Sequence, residues 1–393
     1  MEHWLLPEGI EEMLPPVAAR AERMRRRLLD LYRSWGYELV MPPMIEFLES
    51  LLSGAGHELE LQTFKLTDQL SGRLLGVRAD MTPQAARIDA HALKREEPTR
   101  LCYIGTVLRT RQDGFASSRS PLQVGAELFG HAGVESDLEV IALMLETLAV
   151  AGVPEVHLDL GHVGIFRGLA REAGLDAEVE RDLFEVLQRK ALPEIEALLG
   201  QLELDAARRE RLAALARLHG DRGVLDEARE RLAGAAPEVA ASLAELAAIG
   251  EKVAARWPDM PVNYDLAELR GYAYQTGVVF AAFTPGFGQE VARGGRYDQI
   301  GEIFGRARPA TGFSADLKTL IALGGKDEGE GQGGIFAPVG DEPGLLAAIA
   351  ELRGAGERVI QALPGQAGDA AEMGCDRRLV QKGDAWVVEP LQG

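Results

Sequence analysis

"RLCYIGTVLRTRQDGFASSRSPLQVGAELFG", residues 100–130, decides the fold. Its two ends are rich in branched and aromatic residues, and a polar loop containing Gly and Ser separates them. This pattern predicts a long β-hairpin. Arg109, Gln123 and Glu127 stand at strand-type spacing in it, so their side chains are placed to meet over one face of a sheet.

The segments around this hairpin read in the same way. "TFKLTD" (63–68) and "RLLGVRAD" (73–80) flank the polar turn "DQLSG" and predict a second hairpin, while "YELVMPP" (37–43) reads as a strand. Before it, Val17, Ala21, Met24, Leu28, Leu31 and Trp35 recur at steps of four and three, one face of a helix that Gly36 is placed to end. Thr82 is a candidate helix cap with Pro83 in the first turn. Residues 135–152 return to helical spacing. Strands joined by hairpins, with helices segregated to the flanks, predict an antiparallel α+β fold.

Between about residues 162 and 258 Ala, Leu, Glu and Arg dominate and helical periodicity is nearly continuous, which predicts a helical insertion. Strand-like sequence resumes at "VNYDLAELRGYAYQTGVVFAAF" and runs to residue 323. Residues 324–333 form a glycine-rich acidic linker, and 334–393 alternate strand, helix, strand and a terminal hairpin. The expected organisation is therefore a main domain over 1–323, a linker, and a small C-terminal α/β module with little core of its own.

Composition narrows the function. With 61 acidic against 42 basic side chains the net charge is −19, a field that repels nucleic acid. "RMRRR" at 23–27 lies on the predicted amphipathic helix and reads as its solvated face. No apolar run is long enough to span a membrane and no signal-peptide pattern opens the chain, so a cytoplasmic protein is expected. The two cysteines are too few for a disulfide framework, and Cys102 in an apolar run reads as core. The seven histidines form no HxxxH pair, so neither metal nor other cofactor is expected.

Three distant clusters combine Arg, carboxylate, Gln and Tyr: "VRADMTP" (77–83), the opening hairpin, and "LRGYAY" (269–274) with "RGGRYD" (293–298). Together they suit a small zwitterion, with carboxylates for an ammonium and a guanidinium for a carboxylate. Each one alone reads as well as a turn, an ion pair or a solvated strand face.

Taken together, these motifs resemble histidyl-tRNA synthetase, a class II aminoacyl-tRNA synthetase, over residues 5–323. "LPEGIEEMLPP" and "GYELVMPP" are similar to its opening and first motif, with the dimer-interface proline at Pro42 or Pro43. The resemblance implies Asp80 and Thr82 at the amino group of histidine, Arg109, Gln123 and Glu127 from the second motif, and Arg270, Tyr274 and Tyr297 completing the pocket. Gln275 stands where the synthetase has a second tyrosine.

Two departures fall on the ATP side. The second motif reads "RTR", so Arg111 replaces the glutamate that holds adenine, and the third motif carries Thr319 in place of the phosphate-binding arginine. Losing both removes the positioning that adenylate formation requires. This combination resembles the non-catalytic regulatory subunit of short-form ATP phosphoribosyltransferase. That family implies a cytoplasmic hetero-octamer built on a synthetase-like dimer, activation of the short catalytic subunit, L-histidine as feedback inhibitor, and no tRNA charging. An active synthetase with degenerate ATP motifs and a histidine sensor for another protein are the alternative expectations.

Overall fold

The computed structural model describes residues 5–52, 56–112, 118–269, 271–272, 274–325 and 333–391. The chain forms two compact units, divided between Gly325 and Lys326. The strands of the first are β1 (Glu38–Leu39), β2 (Ile45–Phe47), β3 (Phe64–Thr67), β4 (Leu74–Val77), β5 (Thr99–Thr106) and β6 (Leu122–Phe129). They continue with β7 (His157–His162), β8 (His219–Gly220), β9 (Val262–Asp265), β10 (Val278–Phe283), β11 (Ala292–Arg296) and β12 (Ala310–Asp316). Nine of them form one sheet in the order β1-β5-β6-β12-β11-β10-β7-β9-β8, and β2-β4-β3 form a smaller one. The large sheet is antiparallel in its centre, from β5 to β7; β1 on β5 and β9 on β7 pair parallel.

The opening hairpin is β5 and β6, paired from Thr99↔Phe129 to Thr106↔Leu122. Alternation along β6 sorts its side chains. Val124, Ala126 and Leu128 are buried in a core with Ala21, Met24, Leu28 and Tyr32 of the helix Val17–Ser34 and with Ile141, Leu145 and Leu148 of the helix Val134–Ala151. Gln123, Gly125 and Glu127 point to the opposite face. The helical seam differs from the sequence expectation: Val17 is exposed, Leu31 and Trp35 are half-buried, and Tyr32 is fully buried. Cys102 lies in the same core, where burial pushes its thiol up to about 12.

Other expectations need correction. "YELVMPP" contributes only the two residues of β1, because Pro42 and Pro43 cannot donate to a ladder. Thr82 does not cap the helix Thr82–Arg87 but lies inside its first turn, and Asp80 Oδ1 accepts the Thr82 amide instead. Of "LRGYAY", Gly271, Tyr272 and Tyr274 lie in turns between β9 and β10 rather than in a strand. The helical region from Val163 to Arg256 contributes Phe166, Leu183, Leu212 and Val239 to the same core as the sheet, and its one β-segment, β8, extends the sheet edge.

In the second unit β13 (Gly334–Ala337), β14 (Val359–Gln361), β15 (Cys375–Lys382) and β16 (Ala385–Pro390) form a sheet ordered β14-β13-β15-β16. The helix Pro343–Gly354 packs on it over a core of Ile335, Ala337, Leu345, Ile349, Val359 and Leu379. Residues 326–332 of the glycine-rich acidic segment lie outside the described residues.

Candidate functional site

The face of the large sheet turned away from the helical core floors a cavity of about 870 Å³. Two rows of paired residues cross it. One runs Leu101–Glu127–Gly312–Gly295–Val279, the next Tyr103–Gly125–Ser314–Arg293–Ala281. The glycines are required by close approach. A Cβ on Gly312 would sit 1.5 Å from Glu127 Oε2, and one on Gly125 would sit 2.6 Å from the Tyr103 hydroxyl. Side chains from neighbouring strands therefore lie flat over the sheet where glycine leaves room.

Glu127 is 1% exposed, and both of its oxygens are held by tyrosines. Tyr103 Oη donates to Oε1 at 2.8 Å, and Tyr297 Oη donates to Oε2. The Thr82 hydroxyl lies 3.1 Å from the Tyr103 hydroxyl and continues the network. Burial raises the Glu127 carboxyl to about 7; the hydrogen bonds from Tyr297, Tyr103 and Thr82 oppose that shift, and the Asp80 charge adds to it. Burial likewise pushes the Tyr103 and Tyr297 hydroxyls well above the ordinary tyrosine range, so both remain donors.

Asp80 is fixed by its neighbours. Its Oδ1 accepts the Thr82 amide and Gln123 Nε2, each at 2.9 Å, while Gln123 Oε1 accepts the Met81 amide at 2.9 Å. Oδ2 takes no hydrogen bond from the described residues. Arg78 anchors the start of this segment, donating from Nη1 to Pro42 O (2.7 Å) and from Nε to Thr106 O (2.9 Å).

Of the residues singled out from sequence, Asp80, Thr82, Arg109, Glu127, Tyr274 and Tyr297 line the cavity. Gln123 is buried behind Asp80 as its support. Arg109 lies beyond the end of β5 but still donates its backbone N–H across the hairpin to Arg119 O at 2.8 Å. It follows β5, pairs with Thr63 in a lone β-bridge, and directs Nε towards Ala79 O at 3.4 Å. Arg270 lies outside the described residues. The two altered ATP positions are not in the lining: Arg111 is exposed, and the Thr319 hydroxyl donates to Asp316 Oδ2 at 3.4 Å. Lys318 is engaged with Glu11 at 3.2 Å.

Sequence reasoning missed Tyr103, although it stands in the quoted hairpin. The signal was the interior glycines of "QVGAE" and "TGFS", which mark where a side chain crosses a strand. It also missed the outer wall of Glu180, Arg181, Glu268, Glu290 and Arg293. Among the described lining residues five carboxylates face three guanidiniums, a balance that favours an ammonium over a polyphosphate. No group of three or more His, Cys, Asp or Glu among the described residues could hold a metal ion.

A largely antiparallel sheet with helices on one face and a polar cavity on the other is the class II synthetase type of fold. Histidyl-tRNA synthetase from Nostoc aligns with a TM-score of 0.77 at 19% identity, over 96% of this chain and 91% of that one. A family model described as histidyl-tRNA synthetase matches residues 9–320, and one described as ATP phosphoribosyltransferase subunit HisZ C-terminal domain matches 332–389. The ATP phosphoribosyltransferase regulatory subunits of Thioalkalivibrio sulfidiphilus (64% identical over 99% of this chain and 98% of that protein) and Alkalilimnicola ehrlichii (59%, 99% and 97%) are similar over nearly their whole length. The chain belongs to the ATP phosphoribosyltransferase regulatory subunit family. A crystal structure described as a regulatory subunit/histidyl-tRNA synthetase from Bacillus halodurans aligns with a TM-score of 0.82 at 28% identity, covering 94% and 96% of the two chains.

Proposed function

We propose that this chain acts as the non-catalytic regulatory subunit of an ATP phosphoribosyltransferase, activating a short catalytic subunit and conferring feedback inhibition by L-histidine. The observation that carries the reading is asymmetric retention. Asp80, Thr82, Arg109, Glu127, Tyr274 and Tyr297 line one cavity, while Arg111 and Thr319 are not among its lining residues, which supports this reading. In this reading Asp80 Oδ2 and Thr82 take the ammonium of histidine, Glu127 with Tyr274 and Tyr297 faces the imidazole, and Arg109, Gln123 and Arg270 complete the site. Histidine then favours the less active of two conformations, and a differential affinity of about 1–3 kcal/mol is sufficient.

The chain itself neither adenylates histidine nor charges tRNA in this proposal. Its net charge of −19 supports the absence of tRNA. Self-association as a synthetase-like dimer within a hetero-octamer is supported by the apolar side chains left exposed near β1 and the small sheet. Met41 is 74% exposed and Leu70 98%, accompanied by Leu39, Met44, Ile45, Leu66 and Leu74. Among the described residues no helix is long and apolar enough to cross a membrane, which accords with a cytoplasmic complex.

The test is the rate of phosphoribosyl-ATP formation by the catalytic subunit, with and without this chain and with and without histidine. Activation together with new histidine sensitivity is expected, and Glu127→Ala should keep the activation while losing the sensitivity. A rate that responds to neither addition, with the catalytic subunit itself active, refutes the proposal.

A further inference from the structure

The helix Ala177–Gln188 of the helical insertion has two working faces. Leu183, Val186 and Leu187 are buried in the common core, whereas Ala177, Glu180, Arg181, Phe184 and Gln188 line the cavity. Steps of three and four along a helix place the second set on one side of it. The insertion is therefore a wall of the same cavity that Asp80 and Glu127 line.

Two polar ties join this helix to the segment between β9 and β10. In its first half Glu180 accepts the Tyr272 hydroxyl, and just past its end Lys190 Nζ lies 2.8 Å from Asp265 Oδ2. Tyr272 is gripped further by the insertion. Arg167 Nη2 donates to its carbonyl at 2.9 Å, the Arg167 guanidinium lies 4.7 Å from its ring centroid, and the rings of Phe166 and Phe184 each stand 5.3 Å away. The same segment also reaches the sheet side of the cavity. Gly271 takes a φ of +71°, which glycine adopts without strain, and its carbonyl accepts the amides of Tyr274 at 2.9 Å and Gln275 at 2.8 Å. In this tight turn Tyr274 and Gln275 line the cavity, while Tyr272 is anchored on the insertion.

We infer that Tyr272 is a positioning residue: by hydrogen-bonding Glu180 it holds the turn at Gly271 in its cavity-forming arrangement and couples occupancy of the cavity to the helix Ala177–Gln188. This rests on the reading that histidine occupies the cavity. A turn that is already held needs no ordering when the effector arrives, so breaking the tie lowers the apparent affinity by the fraction of molecules left in the competent arrangement. The relation is reciprocal. An effector that favours the held turn also favours the tie, and the helix opens less often.

The experiment combines calorimetric titration with L-histidine and amide hydrogen exchange on the full chain, alone and assembled with its catalytic subunit. Tyr272→Phe keeps the ring packing and removes only the hydroxyl; it should weaken histidine about tenfold, and so should Glu180→Ala. The double variant should bind no more weakly than the weaker single one, because both changes break the same tie. In the unaltered protein saturating histidine should slow exchange in the helix Ala177–Gln188 as well as in β6 and β12. In Tyr272→Phe the slowing should persist in β6 and β12, showing a folded and occupied cavity, and be lost from the helix. Three results overturn the inference while histidine still binds: a Tyr272→Phe affinity equal to that of the unaltered protein, additive losses in the double variant, or helix exchange that histidine does not change in the unaltered protein. Absence of any histidine binding, alone or in the complex, overturns the reading of the pocket and this inference with it.

Discussion

Gly312→Ala tests whether the Glu127 carboxylate rests on the floor of the cavity. The added Cβ falls 1.5 Å from Glu127 Oε2, 2.5 Å from its Cδ and 2.9 Å from Ala126 O. Non-bonded heavy atoms settle near ~3.5 Å, so the carboxylate has to retreat by about 2 Å. That retreat pulls it from the hydroxyl of Tyr297 or Tyr103. Overpacking together with a buried hydroxyl left unpaired costs about 2–4 kcal/mol. Glu127→Ala removes the obstructing carboxylate, so in that background Gly312→Ala should cost about 1 kcal/mol, the remainder from the Ala126 carbonyl. Denaturation of the four proteins in urea closes a double-mutant cycle, and a coupling of about 1–3 kcal/mol is expected. Equal costs in the two backgrounds would show that the carboxylate does not lie over Gly312, and the description of the site would be wrong.

The same carboxyl makes stability depend on pH. Its folded value of about 7 lies above the ordinary 4.5, so between those values the folded chain holds a proton that the unfolded chain has released. Stability contributed by the neutral carboxyl is present below about pH 4.5 and is lost as pH rises through 7, by about 3 kcal/mol. Glu127→Gln, measured by urea denaturation at pH 5 and pH 8, should lose less stability across that interval than the unaltered protein does; an identical loss contradicts the assignment. Leu28 is 0% exposed, so Leu28→Ala should cost about 2–5 kcal/mol, whereas Val17→Ala at a 49% exposed position should stay within about 0.5 kcal/mol. Comparing the two melting temperatures checks which residues form the helical seam. Met41→Asp should shift the chain towards monomer in light scattering while the fold of the protomer persists, because Met41 is 74% exposed within one protomer.

Much of the fold was legible in local patterns. The pairing of the two hairpins and the presence of the first helix depend on contacts between residues near in sequence, and the structure contains all three. The misreadings have specific causes. Periodicity alone ranks Leu31 with Leu28, but the helix is oriented by the sheet, and that orientation buries Tyr32. Thr82 has the chemistry of a cap, yet Asp80 is better placed to accept its amide, and the hydroxyl turns to Tyr103.

The amino-acid sequence by itself determined that the chain is an acidic α+β protein whose Asp80, Gln123, Glu127 and Tyr297 sit in one recognisable set of motifs, and that Arg111 and Thr319 break the set on its ATP side. Side-chain types and spacings carry that information without reference to the rest of the chain. Only the tertiary structure decided that Gly295 and Gly312 are register partners, that Tyr103 joins Tyr297 on one carboxylate, and that Gln275 lines the same cavity. Those relations arise from the lateral order of β6, β12 and β11. The pairing of β6 with β12 joins Glu127 to Gly312, far apart in sequence, through backbone hydrogen bonds, which are the same for every side chain and so leave no mark in the local sequence.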